Sequence, residues 1–273
     1  MAGLDGSEYL KNIKGKPKIA LTIAGSDSGG CAGIQADLKV FRNLEVHGAS
    51  AITCVTAQNT CGVQKLTVLS PDLITAQIGS VISDLGCDAA KTGMLGNRTA
   101  VRAVAAAVKQ FNIRNLVIDP VMVSSSGQAL LQAGAVRALG EALIPLGRLV
   151  TPNLLEAERL TGESVGTVRG MERAAGMIFD RTGCSVLIKG GHLRGPAIDI
   201  FYNGARFVPF GGPRIRTRNT RGTGCTLSAA IAAFLARRES LEDAIARAKD
   251  YVVAALKNAY KVGQGPGPVG NAE

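Results

Sequence analysis

Tryptophan is missing from this chain, aromatic residues make up only 4% of it, and its two histidines, His47 and His192, stand far apart in sequence. With few rings to stack on bases and no basic run, the formal net charge of +10 does not describe a nucleic-acid surface; a small anionic ligand suits it better. The six cysteines, Cys31, Cys54, Cys61, Cys87, Cys184 and Cys225, include no C-x-x-C pair, which argues against both a zinc site and a disulfide framework. No apolar run approaches a membrane span, and the first seventeen residues are polar, with Asp5 and Glu8 where a signal peptide would need an apolar core. A soluble cytoplasmic protein with reduced thiols is expected, with neither nucleic acid nor membrane as partner. The P-loop pattern G-x-x-x-x-G-K-[ST] is also absent.

What is present is a regular alternation of short β-branched runs with longer helical patterns, the signature of a largely parallel sheet covered on both faces. Strands are expected at 19–24, 50–55, 89–92, 116–119, 149–151 and 186–189. Helices are expected from Ile34, and over 73–85, 99–111, 130–143, 154–160 and 171–181. Between Ala197 and Thr217 the pattern changes to an antiparallel hairpin, with Asp199-Ile200-Phe201-Tyr202 and Phe207-Val208 flanking Asn203-Gly204. Two helices follow, the second opened by Ser240-Leu241-Glu242-Asp243, a capping-box pattern. At 273 residues and 46% hydrophobic, with no linker or repeat, the chain reads as an N-terminal extension over 1–17 and one domain over 18–273. The tail from Gly263 to Pro268 is expected to be loose or pinned to the surface.

The densest chemistry lies in Gly222-Thr223-Gly224-Cys225, which opens an apolar helix. Backbone N–H groups without intrahelical partners converge there at the positive end of the helix dipole, making an anion site and favouring a thiolate at Cys225. The same turn could equally be a tight connection with Cys225 as small buried filler. A second glycine-rich segment, Gly25-Ser26-Asp27-Ser28-Gly29-Gly30, follows the first strand, where ligands of parallel sheets bind. Asp37 borders the buried face of the next helix, about 60° from Ile34, so its carboxylate needs a partner, either a ligand group or a backbone N–H. Gln58 offers an acceptor and two donors at the same end of the sheet, which suits a ring bearing an amino group beside a ring nitrogen. Asp119, Asn153 and Glu156 end or follow β runs and together make a candidate Mg²⁺ set, although Asn153 and Glu156 also read as an ordinary helix cap. Lys189, before Gly190-Gly191-His192, places a cation at another strand end.

Taken in order over residues 18–270, Ala24-Gly25-Ser26-Asp27, Gly33-Ile34-Gln35-Ala36-Asp37, Thr56-Ala57-Gln58-Asn59-Thr60, Lys91-Thr92-Gly93-Met94, Asp119-Pro120-Val121-Met122, Thr151-Pro152-Asn153-Leu154, Lys189-Gly190-Gly191-His192 and Gly222-Thr223-Gly224-Cys225 resemble the hydroxymethylpyrimidine/phosphomethylpyrimidine kinases of thiamine biosynthesis. The resemblance implies a three-layer α/β/α ribokinase-like fold with a mostly parallel central sheet and an antiparallel edge. It implies ATP-Mg²⁺-dependent phosphorylation of 4-amino-5-hydroxymethyl-2-methylpyrimidine and then of its monophosphate. Gly25, Asp37, Gln58, Met94 and Val121 would surround the ring. Gly222, Gly224, Cys225 and Lys189 would serve the transfer, Asn153, Thr223 and Lys189 the nucleotide, and Asp119 and Glu156 the metal. The expected assembly is a homodimer. Three departures stand out: Arg221 in place of a histidine, where it is a candidate phosphate ligand, Leu155 in place of a proline, and Ser125 near a customary lysine. A pyridoxal or pyridoxine kinase, or a pyrimidine-binding sensor without turnover, are the competing readings.

Overall fold

Alternate residues of the central strands feed two separate cores, so the middle of the sheet is apolar on both faces. In a computed structural model, residues 16–124, 127–191, 193, 195 and 197–272 are described; Ser125, His192 and nearly all of the expected extension lie outside them. Among these residues nine strands form one sheet: β1 (Ile19–Asp27), β2 (His47–Asn59), β3 (Gly62–Val68), β4 (Ala89–Thr92), β5 (Leu116–Ile118), β6 (Leu149–Val150), β7 (Ser185–Ile188), β8 (Asp199–Tyr202) and β9 (Phe207–Phe210). Their spatial order is β3-β2-β1-β4-β5-β6-β7-β8-β9. Neighbours from β2 to β7 run parallel, while β3 at one edge and β8 and β9 at the other are antiparallel.

The helices are α1 (Gly33–Asn43), α2 (Pro71–Asp84), α3 (Arg98–Gln110), α4 (Ala133–Ala138), α5 (Leu154–Thr161), α6 (Val168–Thr182), α7 (Thr223–Ala236) and α8 (Leu241–Lys257). Leu21, Ile23, Ala90, Ile118 and Ile188 face the layer of α2 to α6, whereas Ala20, Ala89, Val117 and Leu187 face α1, α7 and α8. Helix α7 lies in the centre of that second layer, and every residue from Thr226 to Ala236 is buried. Its small side chains let it sit close against the sheet on one side and α1 and α8 on the other. The chain leaves β1 toward β2 and β3, then returns to build β4 to β9 on the opposite side. The order therefore reverses between β1 and β4, and a parallel sheet opens a ligand crevice at the carboxyl ends of such a pair.

Three expected elements differ in the structure. Strand β2 runs on to Asn59 and turns back into β3, a strand absent from the expected set; Asn59 Oδ1 accepts from the Cys61 and Gly62 amides, at 2.9 and 3.2 Å, to make the turn. The helix expected over 130–143 starts at Ala133 and passes into a π-turn over Leu139–Leu143. Ser240 caps α8 by accepting from the Asp243 amide, but the Asp243 carboxylate takes the Ser240 hydroxyl instead of completing a capping box. The tail takes the second of its two expected states and is pinned: Gly267 N donates to Asn219 Oδ1, Arg221 N to Gly267 O, and Gly267 and Pro268 are buried.

Candidate active site

The two glycine-rich segments, separated by almost two hundred residues, touch each other. Gly222 is the N-cap of α7 with φ +78°, and a Cβ there would overlap the Cys31 carbonyl, so only glycine fits. Gly33, at φ +59°, packs against the Gly25 carbonyl in the same way and turns its amide to Cys225 Sγ. No side chain caps α7, which leaves its first turn open toward the crevice. A Cβ at Gly224 would stand 3.4 Å from Lys189 Nζ and 3.8 Å from Asp119 Oδ2, so this turn also abuts the charged residues at the ends of β5 and β7. The Thr223 hydroxyl is turned back to donate to Thr220 O at 2.7 Å.

Cys225 does not have the lowered thiol expected at a helix N-terminus. Burial pushes it up to about 11; Lys91 opposes that, while Asp37 and Asp119 add to it and the Gly33 amide offsets a part. Desolvation and two carboxylates outweigh the dipole, so the resting group is a thiol.

Asp37 also differs from expectation. Both its oxygens are held by Lys91 Nζ, at 3.0 and 2.9 Å, and the Thr22 hydroxyl donates to Oδ2 at 2.6 Å. Neither charged side chain has any exposed surface, so the carboxylate is spent on Lys91 and is not presented to a ring. The geometry follows from register: Thr22 and Lys91 are partners across β1 and β4 and both face α1. Burial raises Asp37 against Lys91 and Thr22; it would lower Lys91, but Asp37, Cys225 and Asp119 turn that shift upward. The two shifts favour different proton positions, and the double contact with a third hydrogen bond decides for the charged pair. Sequence reasoning gave Lys91 no role; a lysine inside an otherwise buried strand was the available signal.

A second charged group lies beside the turn. Lys189 Nζ is 2.9 Å from Asp119 Oδ1 and 3.9 Å from Glu156 Oε2, and the Ser228 hydroxyl, on the second turn of α7, is 3.3 Å from Asp119 Oδ2. Burial would lower Lys189, but the two carboxylates hold it above the usual lysine range. Burial pushes Glu156 up to about 7, with Lys189 opposing and Asp119 reinforcing. Asn153 and Glu156 form a reciprocal cap: Asn153 Oδ1 accepts from Glu156 N at 2.9 Å and Glu156 Oε2 from Asn153 N at 2.8 Å. The Asn153 oxygen is thus taken, and among the described residues no three acidic, histidine or cysteine side chains gather as a metal cage. Two carboxylates with oxygen-only donors still fit Mg²⁺, which binds through one or two carboxylates and takes its other ligands from phosphate and water.

The remaining ring candidates lie near or just past the carboxyl ends of β1, β2, β4 and β5. Met94 Cε packs directly on Gly25, where a Cβ would displace it, and the Met94 carbonyl accepts from the Thr53 hydroxyl at 2.6 Å. Gln58 is fixed through its backbone, whose N–H and C=O both meet Ser28 Oγ at 2.8 Å, and no described residue pairs with its side-chain amide. Val121 is half-buried, its amide turned to Asp119 O at 2.8 Å. Arg221, the candidate phosphate ligand, is 4% exposed and donates to Thr60 O at 3.1 Å, tying the Gly222–Cys225 turn to the tip of the β2–β3 hairpin. Leu155, on the first turn of α5, is an exposed hydrophobic, 46% accessible.

A reversed parallel sheet with an open helix N-terminus flanked by a lysine–aspartate pair defines a ribokinase-like phosphotransferase. The sequence pattern of the family described as phosphomethylpyrimidine kinase matches residues 27–270, and the chain belongs to that family. It is 52% identical over 256 residues to the hydroxymethylpyrimidine/phosphomethylpyrimidine kinase of Rhizobium meliloti, covering 92% of this chain and 96% of that one. It is 48% identical over 250 residues to the thiamine biosynthesis bifunctional protein ThiED of Geobacter sulfurreducens, covering 91% of this chain but only 51% of that longer protein. Among solved structures, an ADP complex of Bacillus subtilis pyridoxal kinase superposes with a TM-score of 0.88 at 38% identity, covering 94% of this chain and 98% of that one. No described helix is long and apolar enough to cross a membrane.

Proposed function

We propose that this chain transfers the terminal phosphoryl group of ATP to the hydroxymethyl oxygen of 4-amino-5-hydroxymethyl-2-methylpyrimidine, and then to the resulting monophosphate, in thiamine biosynthesis. The observation that carries this reading is the meeting of the Gly222–Cys225 turn with Lys189 and Asp119 beside the crevice at β1 and β4. The aminopyrimidine would sit among Gly25, Met94 and Val121, with the Gln58 amide pairing to the ring nitrogen and amino group. Asp37 would act on this site through Lys91. Phosphoryl transfer depends chiefly on positioning and charge stabilisation, which here fall to the open amides of α7 and the Lys189 ammonium. Asp119 and Glu156 would hold Mg²⁺, which when bound neutralises phosphate charge. Because the resting group is a thiol, Cys225 would first release its proton to solvent, and its thiolate would then take the hydroxymethyl proton as the new phosphorus–oxygen bond forms and ADP leaves. The intact Lys189 and Cys225 speak against a sensor without turnover. The reading includes a cytoplasmic homodimer, checked by fractionation and by mass in solution.

A second reading, phosphorylation of pyridoxal, is favoured by the likeness to a pyridoxal kinase at a TM-score of 0.88. Initial rates of ADP release with the aminopyrimidine alcohol, its monophosphate and pyridoxal as rival acceptors separate the two. The first reading requires the alcohol and monophosphate to be turned over with the higher kcat/KM.

A further inference from the structure

Asp27, the last residue of β1, has a carboxylate that no ligand needs, because the protein itself satisfies it. Oδ1 accepts from Gly29 N at 2.8 Å, and Oδ2 accepts from Cys31 N at 3.1 Å and Ala32 N at 2.9 Å. Its backbone is held as well: Asp27 N donates to Gln35 Oε1 at 2.9 Å and Asp27 O accepts from Gly30 N at 2.9 Å. Successive backbone N–H groups curled around one point make an anion-binding concavity, and this one lies just ahead of α1, whose positive end faces it. Asp27 is 4% exposed, so the concavity is filled from within.

Two functional elements hang on the loop so closed. On one side Ser28 Oγ meets both the N–H and the C=O of Gln58 at 2.8 Å, and Gln58 carries the amide assigned to the acceptor ring. On the other side the Cys31 carbonyl seats Gly222 and the Gly33 amide meets Cys225 Sγ.

We infer that Asp27 is a positioning residue for phosphoryl transfer: as a built-in anion it preforms the first glycine-rich loop, denies that loop to phosphate, and fixes Gln58 and the Gly222–Cys225 turn relative to each other. This rests on the kinase reading above, and part of its test does not. The loop's three amides are occupied before substrate arrives, which leaves the first turn of α7 as the place where external phosphate meets open N–H groups.

The kinetic test is Asp27→Asn in the full chain, where an amide can accept from fewer of the three donors. The expected result is a fall in kcat of about tenfold or more together with a higher KM for the aminopyrimidine, while ATP affinity is kept. Ser28→Ala, which loosens only the Gln58 side, should raise that KM and spare kcat. A variant whose Tm drops while kcat and KM of the folded protein stay at wild-type values overturns the inference, since a merely structural role predicts that. Amide hydrogen exchange on the wild-type protein without substrate is independent of folding in the variant and of catalysis. Protection of Gly29, Cys31 and Ala32 in the free protein supports a preformed loop. Rapid exchange that slows only on adding phosphate or nucleotide overturns it.

Discussion

Lys91 holds both carboxylate oxygens of Asp37, at 3.0 and 2.9 Å, with neither side chain exposed. An ion pair buried this completely contributes little against an apolar pair of similar volume, but each partner is costly to leave alone. The pair lies between α1 and the sheet, on the face that Thr22 and Lys91 share across β1 and β4.

Removing one partner should therefore cost far more than removing both. Lys91→Met or Asp37→Leu alone is expected to lower unfolding free energy by about 3–5 kcal/mol, and the two together should recover much of that loss. Urea unfolding of the three variants measures it, and additive losses would deny the coupling.

Gly222→Ala should lose activity and stability together. Its φ of +78° and the Cys31 carbonyl both oppose a Cβ, so a penalty of about 1–3 kcal/mol is expected. Gly134→Ala is the control, because nothing lies within 4 Å of its Cβ position and it sits in α4, where alanine is expected to add about 0.5–1 kcal/mol. Denaturation midpoints and kcat for both variants check the contrast.

Cys225 provides the pH dependence. With its thiol pushed up to about 11, alkylation should quicken steadily as pH rises through about 9 without the early plateau of an activated cysteine. Cys61 is exposed, so the measurement belongs in a Cys61→Ser background, with aminopyrimidine protecting Cys225. The sign for stability follows. The folded state holds this proton more tightly than the unfolded chain, so the contribution is full below the unfolded pKa of about 9 and is lost as pH climbs toward about 11. A plateau in the alkylation rate near neutral pH would contradict a thiol raised by desolvation and two carboxylates.

Gln58→Leu should raise the KM for the aminopyrimidine by an amount equivalent to about 1–3 kcal/mol, because the ring's donor and acceptor would be buried unpaired. The backbone bonds to Ser28 remain, so the fold should be kept. An unchanged KM would take Gln58 out of the ring site.

The alternating sheet, the edge hairpin and the glycine turn that opens α7 were legible because each rests on local pattern. Strand β3 was not: a bulge between Ala57 and Gln58 shifts the register, so Val63 falls out of phase with Leu66 and Val68 and the two-residue period is broken. The start of α4 depends on distant carbonyls, with Leu130 N bonded to Met122 O and Gln132 N to Gly96 O. Asp37 was correctly marked as a carboxylate needing a partner, but that partner lies 54 residues away on β4, and spacing along one helix cannot reveal it. The helix N-terminus at Cys225 was visible, whereas the burial and the two carboxylates that reverse its pKa shift are properties of the assembled layers.

The most direct measurement is the product of an exhaustive reaction of ATP with the aminopyrimidine alcohol, followed by ³¹P NMR and by ADP formed per pyrimidine. The account predicts a phosphomonoester that gives way to a diphosphate ester, with about two ADP per pyrimidine and loss of both steps in Lys189→Ala, because one turn and one lysine serve both transfers. No phosphorylated pyrimidine, or full activity in Lys189→Ala, would contradict it.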